Sequence, residues 1–469
     1  MGISFNPSSL LNGQGIDVSS LVSQILSNSS GQLTEWQSEQ TNLQGQASDL
    51  NIINTALTNL ATAVTALADP LGALTAQSAT SSDTGVLNAT AATSAVAGNH
   101  TIVVSNLASA GTVYTNEFTG GANSSILPLN ATGGEIDLQV GGGTAVPITI
   151  TPGSNDTLTT LASYINGQKL GVNASVITDA NGSRLALVSQ STGTPGALAI
   201  TGNNTNLSFN SPTGGLNAAI TLDGIPYSST TNTITGAIPG VTLNLVGSSS
   251  NPVQLSVGPD AAQATSAINN FVSAYNQVIG DINQEFTFNT STNSQGPLAG
   301  DSLVGQVQSS LLNDAAFSIP GNGGDVNLAS LGINTNNDGT LTVDSGQLSS
   351  ALASNPAAVT NFFQNTALTG FANSFNTDLT NLTDPVQGPL NVDLAQNQAE
   401  QKDLSTNINN FQTQLTAQQK ALTAQYDAVN ASLQAYPLIL QQMTEVLATL
   451  GTSSTGSTSS SSPILTSGL

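Results

Sequence analysis

The chain has no cysteine, four basic residues and one histidine among 469 residues, and each shortage closes off a class of function. Lys169, Arg184, Lys402 and Lys420 stand against 27 acids, so no surface can neutralise a phosphate backbone; nucleic acid and anionic membranes are excluded as partners. With His100 alone, a histidine-based triad or a multi-histidine metal site has no second member to draw on. Without cysteine there is no disulfide frame, and a chain of this length holds together by buried area instead. Charged residues make up 7%, far below the roughly 25% of ordinary soluble domains. Ser, Thr, Asn and Gln take their place, a pattern common in secreted surface proteins. Met1 to Leu11 nevertheless lacks the basic n-region of a secretory signal. No sequence run approaches the roughly 20 consecutive apolar residues of a membrane span. The expectation is an extracellular protein exported by a specialised route without a cleaved signal peptide.

Two heptad repeats near opposite ends organise what is present. Trp36, Leu43, Leu50, Leu57 and Val64 recur seven apart, with Ile53, Leu60 and Leu67 between them. Ile408, Leu415, Leu422, Val429, Tyr436, Met443 and Leu450 do the same, with Leu404, Phe411, Ile439 and Val446 interleaved. Neither helix can bury such a stripe alone, so the two ends must meet each other or a partner. A shorter amphipathic helix with Val18, Leu21, Val22 and Ile25, capped by Asp17 or Gly15, precedes the first repeat. Ser29-Ser30-Gly31 is expected to loosen the chain between them. Asp69-Pro70 ends the first repeat, and Pro437 predicts a kink or break in the second.

From about residue 72 the apolar period falls to two. Ile102/Val104, Ile136/Leu138/Val140 and Val146/Ile148/Ile150 alternate as half-buried strands do. A capped helix between Asp156 and Gly167 follows, then a hairpin facing Val172, Ala174 and Val176 against Leu185 and Leu187. Strands resume at Ile220-Leu222, Val241-Leu245 and Val253-Val257. Helical spacing returns after Pro259-Asp260, and shorter helices are expected around Leu303 to Leu312 and Gln347 to Phe363. A hairpin separates those two, at Leu331-Ile333 and Leu341-Val343 about Asn337-Asp338-Gly339. Gly451 to Ser462 is nearly all Ser, Thr and Gly and reads as a flexible tail.

Chemical motifs are weak. His100 reads as a solvated strand-edge residue, and Glu135 with Asp137 as a charged face. Asn334 to Ser345 misses the bidentate Glu that a calcium loop needs at its twelfth position. Gly141-Gly142-Gly143 lacks the helix and lysine of a phosphate loop. No catalytic residue, cofactor or metal site is expected.

Several segments resemble the flagellar filament cap family, hook-associated protein 2. They are Gly15-Ile16-Asp17-Val18-Ser19-Ser20-Leu21-Val22, Leu67-Ala68-Asp69-Pro70, Ala79 to Asp83, Val104 to Ala108, and Leu331-Gly332-Ile333 to Asp338 through Asp344. Ile220 to Gly224 with Gly240 to Leu245 is similar to the repeat of hook-associated and flagellin-like heads. The resemblance implies a protein that forms a homo-oligomeric ring at the flagellum tip and promotes flagellin insertion. It further implies contact with flagellin and with hook-filament junction proteins, and an export chaperone serving the flagellar secretion apparatus. Partner contacts are expected at Val18, Leu21, Val22, Ile25, Trp36, Ile408, Phe411, Leu415, Leu422, Val429, Tyr436 and Met443.

The expected fold class is α+β multidomain: terminal helices form a coiled-coil or helical-bundle stem that carries an inserted β-rich head of one or two domains. The division places 1–42 with 410–469 as a terminal coiled-coil domain, and 43–71 with 258–409 as the stem. It places 72–128 with 215–257 as a proximal head and 129–214 as a distal one. The alternatives are a secreted adhesin or surface-layer protein, which gives no reason for matched heptads, and a polysaccharide-cleaving enzyme, for which acids are too sparse.

Overall fold

The computed structural model describes residues 17–290, 293–321, 324–364 and 369–452. The Gly15 cap alternative and the Ser/Thr-rich tail from residue 453 lie outside these. The chain forms two compact units, one of residues up to 59, 276–312 and 378 onward, the other of residues 60–275 and 313–377. The expected stem domain is thus divided between the two.

Helix α1 runs unbroken from Val18 to Ala68. Asp17 caps it, its Oδ1 accepting from the Ser20 amide at 3.1 Å. Ser29-Ser30-Gly31 does not interrupt it: Ser27 and Ser30 return their hydroxyls to carbonyls one turn back, which keeps small polar residues compatible with a helix. The stretch Ser29–Ala68 is apolar enough by composition to resemble a membrane span. Its Leu50, Ile53, Leu57, Leu60, Val64 and Leu67 are instead buried within the protein, as in a core helix. Pro70 lies just past the end, where its ring forbids another turn.

In the second unit, two sheets make the proximal lobe. Strands β1 (Gln77–Ser81), β2 (Leu87–Ala91) and β3 (Gly98–Asn106) lead out to the distal lobe. The distal strands are β4 (Ala110–Tyr114), β5 (Gly134–Val140), β6 (Val146–Ile150), β7 (Val172–Thr178), β8 (Ser183–Thr192) and β9 (Leu198–Asn203). Helix α2 (Leu158–Gly167) sits among them, started by a Thr157/Thr160 capping box rather than by Asp156. The chain returns through β10 (Ala218–Leu222), β11 (Ile225–Ser229), β12 (Thr233–Ile238), β13 (Val241–Leu245) and β14 (Ser249–Pro259). The proximal sheets have orders β1-β14-β3-β10-β11 and β12-β13-β2, and the distal ones β4-β8-β7 and β6-β5-β9.

Each lobe has its own core. Ile102, Val104, Ile220, Leu243, Val253 and Leu255 anchor the proximal one. Ile136, Leu138, Ile150, Leu158, Leu161, Leu185 and Leu187 anchor the distal one. The predicted hairpin has the expected register, with Ala174 opposite Leu187 and Val176 opposite Leu185. Val113, Ile126 and Leu127 also belong to the distal core, so the proximal segment gives way soon after Ala108 and not at residue 128. Irregular segments such as 115–133 carry little periodicity, and their few apolar residues are claimed by whichever core is adjacent.

Helix α3 (Ala261–Phe286) follows, then α4 (Ser302–Ala315) and a small hairpin of β15 (Ser318–Gly321) and β16 (Gly324–Asn327). The predicted second hairpin is β17 (Ile333–Thr335) with β18 (Leu341–Val343). Asp338 closes its turn by accepting from the Thr340 amide and hydroxyl, which accounts for the calcium-like spacing. The helix expected over Gln347 to Phe363 is two, α5 (Ser345–Ser354) and α6 (Pro356–Phe363), because Pro356 forces a new start with Asn355 as its cap. Next comes α7 (Phe371–Leu382). In the second unit Phe371 lies 5.3 to 6.0 Å, centroid to centroid, from Phe271, Phe317, Phe362, Phe363 and Phe375. The last helix, α8, spans Pro389–Thr452 and continues through Pro437 without a break. Proline there removes one helical hydrogen bond on an exposed stretch, where the freed carbonyl is not walled off from solvent.

Candidate assembly surface on the terminal helices

Within the first unit, α1 and α8 lie antiparallel, their side chains interleaved in order. Asn54 Nδ2 donates to Asn391 Oδ1 at 3.1 Å, Asn397 Nδ2 to Gln46 Oε1 at 3.1 Å and Gln401 Nε2 to the Leu43 carbonyl at 3.1 Å. Further out, Trp36 meets Phe411 edge to face at 5.4 Å. The two apolar seams therefore do come together. The polar flanks hold the pair in register through amide hydrogen bonds where ion pairs would need charges this chain lacks.

The twelve residues expected at partner contacts divide along this pair. Val18 and Val22 are buried, and Leu21 is half-buried. Trp36, Phe411, Leu415 and Leu422 are half-buried and Ile408 is buried, so these contribute to the packing of the unit itself. Ile25, Val429, Tyr436 and Met443 are exposed. The register, extended at ~1.5 Å per residue on both helices, brings the start of α1 level with Asn430. Past that point Tyr436, Ile439, Leu440, Met443, Val446 and Leu447 are all between 48% and 69% exposed. At 100° per residue these six fall in a stripe about 120° wide, the form of a helix face made for a second helix. Between 434 and 452 the sole charged residue is Glu445.

Carboxylates that the sequence did not single out cluster lower in the same unit. Asp393 shares a hydrogen bond with Asp301, and burial, that bond and the Asp301 charge push its pKa up to about 6. Glu285 is buried and accepts from the Leu298 amide at 3.0 Å; burial, then the charges of Asp49 and Asp281, raise it. No spacing rule links Asp393 with Asp301, or Glu285 with Asp49, and tertiary packing alone brings each set together. Among the described residues no group of three His, Cys, Asp or Glu is arranged to hold a metal. His100 lies in β3, a central strand and not an edge, with Nδ1 2.7 Å from Asp223 Oδ2. That hydrogen bond, with the one from the Thr101 amide, lowers the Asp223 pKa.

A pair of terminal helices interrupted in sequence by a long β-rich insertion, with an exposed apolar helix face, is the layout of a protein of the assembling kind. Family models for flagellar hook-associated protein 2 match at both ends, the N-terminal model over residues 14–111 and the C-terminal model over 215–436. The chain belongs to that family. A third match, the flagellin hook IN motif, covers 135–191 in the distal lobe, while the segment 220–245 falls within the match to the C-terminal model. The chain is 29% identical over 406 residues to the B-type flagellar hook-associated protein 2 of Pseudomonas aeruginosa PAO1, covering 79% of this chain and 84% of that one. It is 28% identical over 376 residues to the flagellar hook-associated protein 2 of Escherichia coli K12, covering 75% and 79%. Among solved structures, the D1-D2-D3 domains of the E. coli flagellar cap protein FliD align with a TM-score of 0.55 at 28% identity, over 74% of this chain and 99% of that one.

Proposed function

We propose that this protein caps the distal end of a flagellar filament, as a ring of identical copies under which exported flagellin inserts. The observation that carries the reading is the exposed apolar stripe on α8 beyond Asn430, next to a paired stem. A cap must hold a growing polymer and release it as each subunit joins. Extended contacts through a single low-charge helix face suit that cycle, because each adds little and none requires a buried ion pair. Flagellin and the hook-filament junction proteins would meet the Tyr436–Leu447 face, with Ile25 and Val429 at its base. Trp36, Ile408, Phe411, Leu415 and Leu422 would hold the stem that presents it, together with Val18, Leu21 and Val22. A flagellar export chaperone and export without a cleaved signal are part of the same reading.

The test is complementation of cells lacking their own copy. A chain truncated after Asn430 is expected to fold, with an unchanged melting temperature of the head, and to leave cells without extended filaments and unable to swim. Filaments of normal length on those cells would overturn the role given to the stripe.

A further inference from the structure

We propose that the proximal and distal lobes are locked into one rigid body by a neutral clamp, in which the end of β8 is seated between the two ends of the β10–β11 hairpin. The proposal does not depend on the ring reading. Lobes with separate cores move against each other by default, unless the contact between them is large and apolar. Here the two cores have no residue in common. What joins them is close backbone approach and paired amides.

Gly193, directly after β8, is the seat. Its amide donates to the Ser109 carbonyl at 3.0 Å, and its φ is +72°. A Cβ there would lie 2.6 Å from the Thr230 carbonyl oxygen and 2.7 Å from Asn217 Oδ1, both in the proximal lobe. Only glycine accepts that backbone conformation together with that approach. The residues on either side are tied to the same two partners: Thr192 Oγ1 donates to the Thr230 carbonyl at 2.7 Å, and the Thr194 amide donates to Asn217 Oδ1 at 2.7 Å. Asn217 is itself held, its Nδ2 donating to Ser228 Oγ at 3.2 Å and its carbonyl accepting from Asn106 Nδ2 at 2.7 Å.

The two connecting segments are fastened as well. Asn232, whose carbonyl accepts from the Leu245 amide of the proximal sheet at 2.8 Å, uses both ends of its side-chain amide on Ala108. Its Oδ1 accepts from the Ala108 amide at 2.7 Å, and its Nδ2 donates to the Ala108 carbonyl at 2.9 Å. One planar group making two bonds fixes orientation as well as distance. The outgoing and returning segments also bond to each other: the Ser109 amide donates to the Leu216 carbonyl at 2.9 Å, and Thr112 and Thr213 exchange amide-to-carbonyl bonds of 2.7 and 2.8 Å. A hinge needs a few connecting residues free to change φ and ψ, and these are bonded through their backbones.

Charge plays no part in the clamp. Residues 106–113, 191–197, 213–218 and 228–232 contain no ionisable side chain. Hydrogen bonds between neutral groups are not screened by salt and do not titrate. The lock therefore holds across pH and ionic strength, and a contact made by the distal lobe is passed to the proximal one undamped.

The chain has no cysteine, so Ile177→Cys in the distal lobe and Val246→Cys in the proximal lobe, both at exposed positions, carry spin labels on the full chain without background. Labelled chains are diluted into an excess of unlabelled chain, so that only distances within one copy are read. Pulsed electron paramagnetic resonance should give one between-lobe distance, spread no wider than that of a Val246→Cys and Ile225→Cys pair within the proximal lobe. The spread should be the same at pH 5 and pH 8, and at low and molar salt. Gly193→Ala should broaden the between-lobe distribution by about twofold and leave the within-lobe one unchanged. If that strained position costs the distal lobe its fold, read as lost hydrogen-exchange protection at Leu187, Asn217→Ala keeps every backbone group and carries the same expectation. A broad or multiple between-lobe distribution in the wild type would overturn the lock. So would an Asn217→Ala chain, or a folded Gly193→Ala chain, with a spread as narrow as wild type. A wild-type spread that changes with salt or pH would overturn the neutral basis given to it.

Discussion

Trp36 and Phe411 meet edge to face with ring centroids 5.4 Å apart, although the whole head lies between them in sequence. The contact joins the two heptad seams at the outer part of the stem, and Trp36 is the chain's one tryptophan. Its emission therefore reports this single junction.

Phe411→Ala should cost the pair about 1–2 kcal/mol, from the lost ring contact and the half-buried surface. The effect should be local: Trp36 emission moves to the red and becomes accessible to a soluble quencher, while head melting holds. Unchanged emission would mean that the stem does not pair there in solution.

Asp393 gives the protein a stability that rises as the medium becomes acidic. Its folded pKa of about 6 lies above the ordinary aspartate value of 3.8, so ionisation is disfavoured in the fold. The stabilisation is complete below that ordinary value and is lost as pH rises through about 6. Melting at pH 5 should exceed melting at pH 7 by an amount worth about 1 kcal/mol, the shift being discounted for solvent screening. Asp393→Asn should flatten that dependence and raise the pH 7 melting point. Self-repulsion among 27 acids adds to the same trend, so the difference between variant and wild type is the quantity to read.

Phe371→Ala removes the ring that five other phenylalanines surround and should cost about 3–5 kcal/mol by chemical denaturation. Phe288, 51% exposed, serves as the contrast. Phe288→Ala should stay within about 0.5 kcal/mol. Similar losses from both would place the cluster outside the cooperative core.

Asp223→Ala should free the tip of the β10–β11 hairpin at a cost of about 1 kcal/mol, since the Thr101 amide loses a charged acceptor. Faster hydrogen exchange at Thr101 is the direct readout. Because the Asp223 pKa is depressed, its contribution is present above the ordinary aspartate value and fades as pH falls through the folded one. Gly224→Ala should weaken the same turn by about 1 kcal/mol, since Gly224 sits at φ +82° beside Asp223 at φ +50°.

Long apolar periods were the most readable part of this chain. The Leu43–Leu67 and Leu404–Leu422 seams, the alternation at Ile136–Val140 and the Val172–Leu187 hairpin each combine a clear period with a terminator, and each appears where the pattern placed it. Breakers were less reliable. Ser29-Ser30-Gly31 and Pro437 both stay inside helices, the first because its residues keep every backbone N–H and the second because a long exposed helix tolerates one missing bond, whereas Pro356 does split its segment beside a capping Asn355. Short polar strands such as β1, β2 and β12 escaped notice, since Ser, Thr and Asn carry no period and pair because their neighbours do. Exposure was not legible: the heptads named Tyr436 and Met443, which are exposed, alongside Ile408, which the stem buries, and spacing alone did not separate them. The Asp301–Asp393 pair left no trace in sequence, as only tertiary packing brings those positions together.

Gln77 and Pro259 stand directly opposite each other on β1 and β14, so the polypeptide enters and leaves the entire β insertion through one doorway two strands wide. Everything beyond that doorway is topologically a cassette: neighbouring strands lie about 4.8 Å apart, a gap a tight turn can close. Replacing or deleting it leaves the continuity of the supporting helices untouched. Such an arrangement lets the inserted lobes change in size and sequence without altering the path of the helices on either side.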